Sequence, residues 1–365
     1  MTKIPYLRYL NVLSLFNTKR TRAILSVNPT VVPVREEARS IRIFAYNYTQ
    51  TSLEERELQT VEDCFPFRDN QHISWINIDG IRKHDVETIC QHFGIHALTV
   101  EDIMSVGQRP KMEAIGDVLY CLLNMLYFNQ QKSTVEVEQI SIILGRGFVI
   151  SFQEDPERDV FNGLRDRLRV PTSRHRQLGA DYLCYTMLDM IVDHYFIVMD
   201  QLGERIEQLE EKIVRSSNKR SLAEINALRK ELIVLKRNVQ PVRDLINGLI
   251  RSESELLEEK TTKYFRDVYD HIVQASELVE SYRDMMINLQ DLYLSNVNLK
   301  MNEVMKVMAI VTCLLAPATV IGGIFGMNFD MIPYLHHPNG FYIAVGLMLL
   351  VPAWMLWQFK KRGWY

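Results

Sequence analysis

Eight side chains recur at strict seven-residue intervals through the C-terminal third of this chain: Asp270, Glu277, Asp284, Asp291, Asn298, Met305, Thr312 and Thr319. On a helix that supercoils with neighbours, such a series forms one seam. The seam begins with carboxylates and ends with hydroxyls, so it passes from an acidic to a neutral set of oxygen acceptors. A charged seam on a single helix is ordinarily a solvated face. This one continues into an uncharged stretch, Val307 to Phe325, where hydroxyls have no reason to face lipid. A seam turned toward a shared water-filled axis accounts for both halves. Immediately after it comes Gly326-Met327-Asn328. The Asn328 carboxamide and nearby backbone carbonyls form a neutral acceptor array, suited to hydrogen-bonding the water shell of an ion. Mg²⁺ dehydrates reluctantly and keeps several waters, so a filter that reads a hydrated ion favours it. Gly and Asn also end helices routinely, and spacing alone leaves both readings open.

The elements that must position these groups follow from periodicity. Val307 to Phe325 is long enough to cross a bilayer, which takes about 20 apolar residues, and a second uncharged stretch runs from Phe341 to Phe359. Upstream, the helical pattern begins near Tyr264 and continues to Pro317, with Ile272, Val279, Met286 and Tyr293 as a neighbouring apolar series. This predicts one helix over 264–325, an external loop over 326–340, a second span over 341–359 and a basic tail over 360–365. Before it, 181–263 reads as a charged antiparallel helical hairpin, Asp181 to Val214 and Leu222 to Ile250, in which Pro241 is a potential kink. Residues 40–180 read as an α+β domain. Its strands are Ser40 to Asn47, His72 to Ile78, Leu119 to Phe128, Val135 to Leu144 and Phe148 to Phe152, the last three as an antiparallel meander. Its helices are Asp85 to Phe93, Ile95 to Met104 and Asp159 to Leu168, with a turn at Gln108-Arg109-Pro110-Lys111. Residues 1–39 read as a basic, partly mobile cytoplasmic arm rather than a signal peptide.

Lys300 and Lys306 precede the first span, Lys360, Lys361 and Arg362 follow the second, and the loop between carries neither Lys nor Arg. The positive-inside rule puts both termini in the cytoplasm. Two helices cannot enclose a pore, so a conduit requires several copies around a closed axis. Ala309, Ala316, Ala318, Gly322 and Gly323 would let the inner helices approach closely. In 365 residues the formal net charge is -3, which argues against a nucleic-acid partner, since such proteins present a basic surface to phosphates. The five cysteines are scattered without a C-x-x-C pair, so neither a disulfide framework nor a zinc knuckle is indicated. No phosphate-binding loop, H-E-x-x-H or G-x-S-x-G motif occurs, so no enzyme and no organic cofactor is expected. The spans also lack the buried charges of a proton relay, leaving passive permeation.

The runs Tyr293 to Asn298, Met301 to Val307 and Gly326-Met327-Asn328-Phe329 resemble the pore helix and GMN signature of the CorA family of magnesium and cobalt transporters. Further resemblance lies at Gly94-Ile95-His96, Glu101-Asp102-Ile103, Gln108 to Lys111 and Tyr264 to His271. The resemblance implies a funnel-shaped cyclic homopentamer with an α+β cytoplasmic domain, a long helical stalk that becomes the inner pore helix, and two transmembrane helices, set in the inner (plasma) membrane. It implies Mg²⁺ as both substrate and regulatory ligand, with Co²⁺ and Ni²⁺ also carried. Gly326, Met327 and Asn328 would form the selectivity filter. Asn302, Met305, Met308, Thr312, Ala316 and Thr319 would line the pore, with Asp291 facing the cytoplasmic vestibule. Regulatory divalent cations would bind between neighbouring subunits at Asp102 and Asp267, with Glu101 and Asp189 nearby. Bound Mg²⁺ would offset repulsion between facing carboxylates and hold the subunits closed.

Two departures stand out. Where relatives often read MPEL after GMN, this chain reads Asp330-Met331-Ile332-Pro333-Tyr334-Leu335, with Tyr334 in place of the acid. In the pore, Ala316 stands where Met is common and Met308 where Leu is common. Two rival readings are a zinc transporter of the same superfamily, for which His336 and His337 are candidate ligands, and a non-conducting membrane-anchored coiled-coil scaffold or sensor.

Overall fold

The computed structural model describes residues 37–38, 40–68, 71–215, 218–327, 332–333 and 337–364. The basic arm up to residue 36, Asn328, Asp330, Tyr334 and His336 lie outside the described residues. The chain divides into two units, one reaching to Glu210 and including Leu222–Asn288, the other comprising Glu211–Ser221 and the residues from Leu289 onward.

The first unit is built on seven strands: β1 (Arg42–Tyr48), β2 (Leu53–Leu58), β3 (Ile73–Asp79), β4 (Lys111–Ile115), β5 (Val118–Asn129), β6 (Thr134–Gly145) and β7 (Phe148–Gln153). They form one sheet in the order β2-β1-β3-β7-β6-β5-β4. The antiparallel β4 to β7 meander includes the three strands that alternation predicts, while β3 and β7 pair in parallel and join it to the β1–β2 hairpin. Every residue of β7 is buried, as expected of a central strand covered on both faces. Its polar side chains are bonded across the parallel pair: Trp75 Nε1 donates to Ser151 Oγ at 2.9 Å, Ser151 Oγ to Asn77 Oδ1 at 2.6 Å, and Gln153 Nε2 to Asp79 Oδ1 at 2.7 Å.

Four shorter helices follow the sheet's connections: α1 (Lys83–Phe93), α2 (Ala97–Met104), α3 (Asn162–Arg169) and α4 (Arg174–Gln177); then come α5 (Ala180–Arg215), α6 (Lys219–Arg251) and α7 (Glu259–Phe325). Gly94 ends α1 in the left-handed region at φ 72°, its N–H returning to the carbonyls of Cys90 and Gln91, as a glycine C-cap does. Helix α2 therefore starts at once, and His96 Nδ1 caps it by accepting from Leu98 N at 3.2 Å. The sheet holds α5 and α6 by three buried hydrogen bonds: Tyr195 Oη to Asn124 O at 2.7 Å, Asn124 Nδ2 to Asn238 Oδ1 at 2.8 Å, and Val135 N to Glu231 Oε2 at 2.7 Å. Helix α6 runs on through Pro241.

Several boundaries differ from the periodicity. Lys111 opens strand β4 instead of lying in a turn, α3 begins at Asn162 because Asp159 pairs with Arg165 ahead of the helix, and α7 begins at Glu259, five residues before Tyr264. Edge strand β2 has no apolar alternation at all, its four central residues being charged.

Buried acids give this unit a pH signature. Burial pushes the Glu138 carboxyl up to about 7, against the backbone N–H groups of Asp155 and Glu154 that donate to its Oε1, and pushes Asp79 up to about 6. The unfolded chain releases both protons near pH 4, so between about pH 4 and pH 7 the folded state binds more protons and stability declines as pH rises. Glu138→Gln, which retains the Oε1 acceptor, is expected to flatten that decline and to stabilise the chain at pH 8 by on the order of 2–3 kcal/mol. Thermal midpoints between pH 5 and pH 8 measure it, and an unaltered slope in the variant would refute the assignment.

The second unit contains the end of α5, the start of α6, α7 from Leu289, and α8 (Gly340–Lys361). Within it Asn296 Nδ2 donates to Ile213 O at 3.0 Å. Two helices here are long and apolar enough to cross a membrane, and the apolar window is 0% buried in α7 and 11% in α8. Such exposure separates them from the core helices of a water-soluble protein. Apolar surface of this extent is covered by lipid or by other helices.

Candidate functional site

Two of the carboxylates that the resemblance singles out, Asp189 and Asp267, are positioned by the common origin of α5 and α7. Asp181, buried in the first turn of α5, accepts from the backbone N–H of Glu258 through Oδ2 at 3.0 Å, which ties the start of α7 to the start of α5. Contacts then climb the two helices in step. Tyr182 meets Tyr264 with ring centroids 5.0 Å apart, Tyr185 meets Phe265 at 6.0 Å, and Asp193 Oδ1 lies 3.8 Å from His271 Nδ1. One ligand atom from each of Asp189, Asp193 and His271 falls within 4.8 Å of the others. That spread is compatible with divalent-cation coordination, where metal–ligand bonds are about 2.0–2.6 Å. Burial, with Asp193 and Asp267 close by and His271 only partly compensating, pushes the Asp189 carboxyl up to about 6. The cluster is thus short of positive charge, which a bound cation would supply. Two carboxylates and an imidazole make a mixed oxygen and nitrogen set, better matched to Co²⁺, Ni²⁺ or Zn²⁺ than to Mg²⁺, which takes oxygen.

Glu101 and Asp102 are held elsewhere, on α2. That helix is pinned to the sheet by Gln139 Nε2, which donates to the carbonyls of Asp102 at 3.2 Å and Ile103 at 3.3 Å. Glu101 is exposed, whereas the Asp102 side chain is 14% exposed and fully engaged. Gln108 Nε2 donates to its Oδ1 at 3.1 Å, and the Lys111 ammonium donates to its Oδ2 at 2.7 Å and to Glu113 Oε1 at 2.9 Å. The period of two along β4 puts Lys111 and Glu113 on one face.

Along α7 the two seven-residue series separate cleanly. Ile272, Val279, Met286 and Tyr293 are all buried, while Asp270, Glu277, Asp284, Asp291, Asn298, Met305, Thr312 and Thr319 are all exposed. Glu277 and Asp284 border a groove of about 640 Å³ that Lys236 and Arg243 of α6 also line. Asn302, Met305, Met308, Thr312, Ala316 and Thr319 follow one another at three- and four-residue spacing, the repeat of a single helix face, and each is exposed. Thr312 Oγ1 donates to Met308 O at 2.9 Å and Thr319 Oγ1 to Leu315 O at 3.1 Å. With their protons used inside the helix, these hydroxyls present acceptor lone pairs outward. The helix closes with Gly326 N donating to Gly322 O at 2.9 Å, and a Cβ at position 326 would stand 3.0 Å from that same carbonyl. A side chain at this position would require that backbone to shift by a few tenths of an ångström. Gly326 and Met327 are exposed.

Comparison with known proteins bears on this arrangement. Residues 70–361 match the family described as CorA-like Mg²⁺ transporter protein. The chain belongs to the CorA family. A cobalt/magnesium transport protein CorA of Thermotoga maritima is 36% identical over 348 residues, covering 95% of this chain and 99% of that protein. The solved CorA magnesium transporter of Methanocaldococcus jannaschii shares the fold with a TM-score of 0.74 at 21% identity, over 88% of this chain and 98% of that one. A zinc transport protein, ZntB of Yersinia pseudotuberculosis, is 20% identical over 290 residues, or 80% of this chain and 87% of that protein.

The structure thus brings Asp189 into one cluster, with Asp267 close enough to bear on its charge, and adds Asp193 and His271, which reasoning from sequence did not select. The signal was available as spacing: Asp193 follows Asp189, and His271 follows Asp267, by four residues, the distance at which side chains share a helix face. Lys111 and Glu113 were hidden by the adjacent proline, which makes the segment read as a turn.

Proposed function

We propose that copies of this chain form a cyclic homopentamer in the inner (plasma) membrane that admits Mg²⁺, and with it Co²⁺ and Ni²⁺, passively down the membrane potential, and that cytoplasmic Mg²⁺ bound between subunits closes it. Both termini are cytoplasmic on the distribution of Lys and Arg about the two spans. The observation that carries the reading is the exposure pattern of α7. A polar seam is left uncovered from Asp270 to Thr319, and over its cytoplasmic stretch the apolar series beside it, Ile272 to Tyr293, is buried within the chain. Threonine oxygens whose protons are already bonded inward are neutral acceptors, the chemistry that a hydrated divalent cation requires of a wall. A divalent cation crossing 100 mV, inside negative, gains about 4.6 kcal/mol, which drives uptake without a second energy source. Asp102 and Asp267, with Glu101 and Asp189, are the regulatory carboxylates, and Gly326, Met327 and Asn328 the filter.

The zinc reading has its own support in the ZntB relative and in His271, whose imidazole joins the Asp189 and Asp193 carboxylates. Flux into liposomes with Mg²⁺, Co²⁺ and Zn²⁺ in competition separates the readings. Mg²⁺ and Co²⁺ entry that equimolar Zn²⁺ does not displace is the expected result. Zinc entry that outruns magnesium would favour the zinc transporter, and no flux of any ion would leave the non-conducting scaffold.

A further inference from the structure

The side chain that holds Asp102 is itself a cation. Lys111 extends from the first position of β4 so that one ammonium is shared by two carboxylates from different elements, Asp102 Oδ2 at 2.7 Å and Glu113 Oε1 at 2.9 Å. Its side chain is 29% exposed and that of Asp102 14%, so the pair is partly shielded from water, where ion pairs are worth more than at an open surface. Two carboxylate oxygens converging on one positive centre is a donor arrangement that a hard divalent cation also takes. The Asp102 backbone is fixed by Gln139, and its other oxygen is occupied by Gln108. The mobile partner is therefore the lysine, on its four-carbon stem.

We propose that Lys111 is a tethered competitor: its ammonium occupies Asp102 in the metal-free chain, and divalent-cation binding at Asp102 must displace it, so that Lys111 sets the concentration at which that site fills. The proposal rests on the reading of Asp102 as a regulatory ligand. A competitor on the same chain raises the apparent dissociation constant by the reciprocal of the fraction of time it leaves the site free. Arg109, two residues away, pairs instead with Asp244 at 3.4 Å and supplies the control for charge alone.

The test is the thermal midpoint of the full chain in detergent as a function of MgCl₂ concentration, since a ligand that binds the folded state stabilises it by mass action. Lys111→Gln is expected to lower the half-saturating Mg²⁺ concentration by about tenfold, within the range typical of coupled sites, and Lys111→Arg and Arg109→Gln to leave it near the wild-type value. Asp102→Asn is expected to raise it or to remove the Mg²⁺ response. If Asp102→Asn raises it while Lys111→Gln leaves it in place and lowers the midpoint equally at every Mg²⁺ concentration, Lys111 is a structural partner and the proposal is overturned with the Asp102 reading intact. An equal shift from Arg109→Gln would also overturn it, since charge alone would then suffice. An unchanged response in Asp102→Asn would overturn the Asp102 reading and the proposal together. Lys111→Met, which keeps the apolar stem, carries the same expectations where the glutamine variant does not fold.

Discussion

Asn328→Ala is expected to cost Mg²⁺ uptake about a hundredfold or more and to remove discrimination between Mg²⁺ and other cations that enter hydrated. A carboxamide oxygen bonded to an ion's water contributes about 1 kcal/mol net, and in the proposed cyclic pentamer the deletion would be made five times over around one axis. The summed loss of about 5 kcal/mol corresponds to more than three orders of magnitude, of which water filling the space recovers part. Asn328 follows Phe325, the last residue of α7, by three positions in the sequence, so the substitution leaves the two spans unaltered in composition. Initial rates of Mg²⁺ entry into liposomes, at matched protein per vesicle, measure the effect. Wild-type rates and selectivity in the alanine variant would remove Asn328 from the filter.

Asp267→Ala is expected to raise the internal Mg²⁺ concentration needed for half-maximal closure by 5- to 150-fold, the usual span of a coupling free energy. Asp267 is exposed on α7 and bears electrostatically on Asp189, whose carboxyl is already pushed up to about 6 by burial and its neighbours. Removing an exposed carboxylate costs the isolated chain little, within about 0.5 kcal/mol. Closure and stability are therefore separable. Flux measured across a series of internal Mg²⁺ concentrations, with the Mg²⁺-free thermal midpoint as control, makes the comparison. Unchanged inhibition in a normally folded variant would take Asp267 out of the gating account.

What the sequence discloses depends on where the physics is local. Strands β5, β6 and β7 are legible because their β-rich runs are bounded by polar or glycine-containing turns, and α7 because its helical pattern runs from near Tyr264 to Pro317 without a Gly or Pro break. Strand β2 was hidden because Glu54, Glu55, Arg56 and Glu57 carry no apolar alternation; at a sheet edge it is held by its backbone ladder to β1, by Arg169 donating to both Glu55 carboxylate oxygens at 2.9 Å, and by Leu58 against the core. Strand β4 was hidden by Pro110, which marks a turn and says nothing of the strand that follows. The parallel pairing of β3 with β7 leaves no periodic trace, since it is set by which strands the chain brings together. At the candidate sites the same division holds. The seam of α7 is readable as a repeat on one element, whereas the meeting of Asp189, Asp193 and His271 depends on Asp181 fastening α5 to the start of α7, and the capture of Asp102 by Lys111 depends on β4. Function carried by one helix was visible in the chain; function assembled from two elements required the fold.

Whether the uncovered seam of α7 lines a conduit is tested most directly by uptake into sealed liposomes containing only this purified chain. With an inside-negative potential imposed, Mg²⁺ is predicted to enter and accumulate, to stop entering when the potential is collapsed at equal Mg²⁺ on both sides, and to slow as internal Mg²⁺ rises. Liposomes that stay impermeable to Mg²⁺ with the potential in place would contradict it.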